Sequence, residues 1–169
     1  MNKTNEQAFE ALIEKALVGT TLEERQQTGA NDIDAQSPDL DKYYWGLPKD
    51  MSDKKYAFDM RRLWSFLRTT QQNILDEYKG KNIENELPKQ LSKAIDTFGI
   101  IDVLRKGVDI DNIHVTMFYP KPSPADSQLS KEKYIKNQFS VTRQQTFSVS
   151  NPGLEIDMVL YVNLSLIHI

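Results

Sequence analysis

The hydrophobic pattern of this chain changes period once, near Gly107, and that change constrains the fold more than any other feature. Ahead of Gly107 apolar residues recur at spacings of three and four, the period of a helix; behind it they alternate, the period of a strand. Helices followed by strands fit an α/β chain of the α+β kind, with helices laid on a sheet. A length of 169 residues suits one domain.

Over Asn5 to Val18 the stripe Phe9, Leu12, Ile13, Ala16 and Leu17 predicts an amphipathic helix with its apolar side buried, capped by Thr4 or Asn5 and ended by Gly19. Glu6, Glu10 and Glu14 lie four apart on one side of that helix and read as a solvated row. Glu23 to Asp53 is poor in aliphatic residues and rich in Asp, Gln, Gly and Pro. It reads as a long irregular excursion with a short helical turn near Leu40 to Trp45. Its aromatic group, Tyr43, Tyr44 and Trp45, either pins the excursion to the core or offers a binding patch. Tyr56 to Tyr78 has helical spacing without Gly or Pro, which predicts one long helix bent near Thr69 and Thr70. Arg61, Arg62 and Arg68 make it the most basic local surface, able to meet a phosphate backbone. A further helix is expected from Glu86 to Phe98, with Pro88 in its first turn and Gly99 stopping it, followed by a short apolar segment from Ile100 to Leu104.

Beyond Gly107, the alternation Ile113, Val115, Met117, Tyr119 predicts a strand that ends at the proline-rich run starting with Pro120. His114 within it reads as a packing residue with no assigned chemistry. Phe139, Val141, Phe147 and Val149 predict a second strand, and the turn Ser150 to Gly153 leads into a third, Leu154 to Val162, as an antiparallel hairpin. Both faces of that last strand are largely apolar, so Asp157 is expected half-buried or buried. A carboxylate there needs a partner, either an arginine and backbone N–H groups or a divalent metal such as magnesium. Arg143, Gln144 and Gln145 lie close across the hairpin turn; a Gln can orient a water or phosphate and an Arg can neutralise one.

Charge and composition narrow the function classes. Twenty-one Lys and Arg against twenty-four Asp and Glu give a net charge of -3, so any nucleic-acid contact must use a local basic surface. With no cysteine there is no thiolate nucleophile and no Cys-ligated zinc. The first residues lack the apolar core of a signal peptide, and no run approaches the ~20 apolar residues of a membrane span. The expected location is cytoplasmic.

Four segments occur in a telling order: Phe66 to Gln71, Gly99 to Val108, Tyr134 to Gln144, and Glu155 to Asn163. Together they resemble the N-terminal domain of the restriction (R) subunit of bacterial type I restriction endonucleases, over Phe9 to Asn163. The resemblance implies a nuclease of the PD-(D/E)XK superfamily: a mixed sheet flanked by helices, with a helical insertion. It implies Mg2+ held by an Asp on one strand and by the Glu of a Glu-X-Lys motif on the next. Asp157 matches the Asp, although Ile156 stands where the superfamily name has Pro. Glu6 or Glu10 would match the helix-one glutamate near the metal, and Arg143 and Gln144 match an Arg-Gln pair before the catalytic hairpin. The implied chemistry is attack of metal-bound water on a DNA phosphodiester. The implied partners are DNA and the modification and specificity subunits, the latter carrying target recognition. ATP would enter only through motor domains absent from this chain, which holds no Gly-X-X-X-X-Gly-Lys-Ser/Thr loop.

After Asn163 the resembled family continues with Gly, a turn and a strand carrying Glu-Leu-Lys. Here the sequence reads Leu164-Ser165-Leu166-Ile167-His168-Ile169. That hexapeptide looks like the translated end of a transposase sequencing adapter, so residues 1–163 are expected to be an incomplete nuclease domain, inactive alone, and 164–169 not native. The alternative reading is a non-catalytic helical module that docks a protein partner through Tyr43, Tyr44, Trp45 and the Arg-rich helix.

Overall fold

The computed structural model describes residues 3–28, 43–46, 55–56, 58–78, 82–146, 151, 153–163 and 165–168. The helices are α1 (Lys3–Val18), α2 (Leu22–Thr28), α3 (Met60–Thr70), α4 (Gln72–Glu77), α5 (Ile83–Phe98), α6 (Ile100–Lys106) and α7 (Gln128–Tyr134). The strands are β1 (Tyr44–Trp45), β2 (Val108–Ile110), β3 (Ile113–Val115), β4 (Phe139–Thr146), β5 (Glu155–Val162) and β6 (Ser165–His168). The order β1-β4-β5-β6 makes a mixed four-stranded sheet, since β1 runs parallel to β4 and the remaining pairs are antiparallel. The strands β2 and β3 form a separate two-stranded hairpin. The α+β class read from the change of period is therefore the class observed. No helix among the described residues is long and apolar enough to cross a membrane.

The principal core lies among α3, α5, α6 and the β2–β3 hairpin. Leu63, Phe66, Leu67, Leu87 and Leu91 are fully buried there, with Val103, Val115 and Met117 beside them. Each such side chain contributes roughly 1.5–3 kcal/mol by leaving water. A smaller cluster, Val18 and Val141 with Leu17, Leu22 and Leu160 against them, fastens α1 and α2 to the sheet.

Four expectations change. The long helix over Tyr56 to Tyr78 is two helices broken at Gln71, which leaves helical geometry at φ -144°, ψ 39°. Gln71 leaves because its side chain donates to the Thr116 carbonyl and accepts from the Thr116 N–H, both at 2.8 Å. The helix α5 begins at Ile83, so Pro88 sits inside it rather than in its first turn. The apolar segment after Gly99 is the helix α6. The strand predicted over Ile113 to Tyr119 stops pairing at Val115. Beyond it, side-chain amides replace a neighbouring strand: Gln71 serves Thr116, Asn163 donates to the Met117 carbonyl, and Asn137 both donates to and accepts from the Tyr119 backbone. Alternating side chains thus reflect an extended chain whose backbone groups are satisfied laterally.

The excursion after Glu23 begins with a helix, α2, closed by a capping box. The Thr21 hydroxyl accepts from the Glu24 N–H and the Glu24 carboxylate accepts from the Thr21 N–H. The backbone of Tyr44 and Trp45 pairs with Ser140 and Val141, and the Tyr43 ring lies against Phe139, so strand pairing and Tyr43 anchor the segment to the sheet. The helical turn expected over Leu40 to Trp45 gives way to the strand β1 at Tyr44–Trp45; its earlier residues, together with Phe147 and Val149, lie outside the described residues.

Candidate functional site

Arg143 in β4 gathers most of the candidate residues. Its guanidinium donates to Glu10 at 3.3 Å, Glu14 at 3.1 Å and Glu23 at 3.0 Å, and to the Gln7 carbonyl at 3.4 Å. Glu14 also accepts from the Leu22 N–H at the start of α2. One side chain therefore ties α1 and α2 to the sheet, with Glu10, Glu14 and Arg143 all buried. Burial works against the guanidinium charge, but hydrogen bonds and charges from Glu14, Glu23 and Glu10 outweigh it and hold Arg143 more firmly protonated than usual. Oε1 of Glu14 is left buried without a hydrogen-bond partner.

This cluster turns α1 part of the way from its expected orientation, Leu17 of the predicted stripe still packing on the sheet. The glutamate row expected in solvent supplies two buried members, while Phe9 is 63% exposed and Leu12 67% exposed. The cause is charge: Arg143 is buried under the helix and needs carboxylates, and Glu10 and Glu14 are one turn apart on the side that reaches it. Glu6 is exposed.

Asp157 departs from expectation too. It is exposed rather than half-buried, because burial rises along β5 only toward Val159, Tyr161 and Val162. It has no hydrogen bond or ion pair among the described residues. The β4–β5 ladder steps from Arg143 opposite Met158 to Gln145 opposite Ile156, passing over Gln144 and Asp157. Gln144 is exposed and holds φ at 52°, a left-handed conformation costly for a residue with a Cβ. The two candidates Gln144 and Asp157 thus stand opposite each other at an interruption of the ladder.

The candidate metal ligands do not converge. Glu10 is committed to Arg143, and no group of three His, Asp or Glu among the described residues could hold a metal ion. Asp157 would supply a single oxygen ligand to magnesium.

The three arginines of α3 also separate. Arg61 and Arg68 are exposed, whereas Arg62 is buried and lies 3.0 Å from the carboxylate of Asp59, the residue that caps α3. Arg62 therefore belongs to the interior and not to a phosphate-facing surface. Nearby, burial and the Asp59 charge push the Tyr161 phenol well above its ordinary range. His114, read as a packing residue, is exposed, and its Nδ1 lies 2.8 Å from Asp109. A groove of about 480 Å³ between α5, α6 and β2, lined by Lys93, Phe98, Asp102, Lys106 and Asp109, contains none of the candidate residues.

Sequence reasoning passed over Glu14, Glu23, Asn137 and Asn163 as structure-bearing polar residues. The spacing of Glu10 and Glu14 was visible, but its partner lies 133 residues from Glu10. No protein-family model matches the chain, and no curated protein and no solved structure matches it.

Proposed function

We propose that the chain is the N-terminal nuclease portion of the R subunit of a type I restriction-modification enzyme, which in the intact subunit cuts foreign unmodified DNA. The observation that carries this reading is Asp157: an exposed carboxylate without a partner, on a strand of a mixed sheet, where the resembled family has its first metal ligand. In this reading magnesium would supply charge stabilisation when bound and Asp157 would contribute one ligand, with Glu155 two residues away on the same exposed face of β5.

The 169 residues contain no Glu-X-Lys after Asp157. Without that motif, this reading expects no cutting by these residues alone. Supercoiled plasmid incubated with the polypeptide and Mg2+ is expected to stay intact. Cutting by this chain that Asp157→Ala abolished would contradict the assignment of incompleteness. Sequencing the genomic locus after the codon for Asn163 tests the family: a strand carrying Glu-X-Lys is expected, and its absence would favour a non-catalytic docking module instead.

A further inference from the structure

We draw no further inference here: the strongest candidate, the groove between α5, α6 and β2, is lined by Lys93 and Lys106 against Asp102 and Asp109, so charges of both signs balance across it and nothing in the structure shows what covers it.

Discussion

Arg143 shows how one side chain sets the local electrostatics. It faces three carboxylates, two of them buried, and its removal would leave Glu10 and Glu14 charged in a dry environment. Arg143→Met is therefore expected to lower unfolding stability by about 3–5 kcal/mol in urea titrations, the cost of orphaning buried charge. Glu23→Gln alters a carboxylate that is itself 55% exposed, and should cost at most about 1 kcal/mol. A pH dependence follows from Glu23. Burial would raise its pKa, but its own backbone N–H, the Arg143 guanidinium and Thr21 outweigh burial and hold it below the usual range. A carboxyl with a lower pKa folded than unfolded contributes fully above the unfolded value, about 4.3 for glutamate, and its contribution is lost as pH falls through the folded value. Stability measured by denaturation across that acid window should fall, and the fall should be shallower in Arg143→Met.

Among the elements, the break between α3 and α4 is a trade of helical continuity for a long-range contact. Gln71 takes both backbone groups of Thr116, so the extended run after β3 has an amide in place of a neighbouring strand. Gln71→Leu fills similar volume but leaves the Thr116 N–H and C=O unpaired, and is expected to cost about 1–3 kcal/mol. Hydrogen exchange at the Thr116 amide should accelerate more than exchange within α3; equal protection in the two proteins would show that the pairing is dispensable. Periodicity located most of the helical sequence because local spacing reports local backbone geometry. It placed a bend at Thr69 and Thr70, beside the break, but could not show that the helix ends there, since the partner of Gln71 lies 45 residues away. The Thr21 to Glu24 capping box, by contrast, was legible as a tetrapeptide and marks the start of a helix within the stretch read as irregular.

Across the whole molecule, cohesion is uneven. Among the described residues, fourteen buried ones make the core around α3, α5 and α6, whereas two make the cluster that holds α1 and α2. The latter relies on Arg143 as much as on apolar contact. Native-state hydrogen exchange is expected to show α1 and α2 opening at lower free energy than α3 and α5, which should exchange only near the global limit. Uniform protection would show that the ion cluster binds the helices as firmly as the core does. The sequence by itself determined the α+β class, the antiparallel β4–β5 hairpin and the glycine stops after α1 and α5, because each depends on residues a few positions apart; it did not show β1 among the helices or α7 among the strands, and Thr4 and Asn5, expected to cap α1, lie inside it. Tertiary structure alone decided which side of α1 is buried, that Arg62 points inward, that Asp157 stands in solvent, and that Thr116 to Tyr119 is held by amides. For α1 and for Thr116 to Tyr119 the physical reason is that pairing is set by groups arriving from elsewhere in the chain: the buried Arg143 guanidinium draws Glu10 and Glu14 inward and leaves Phe9 and Leu12 exposed, because it needs carboxylates more than they need cover.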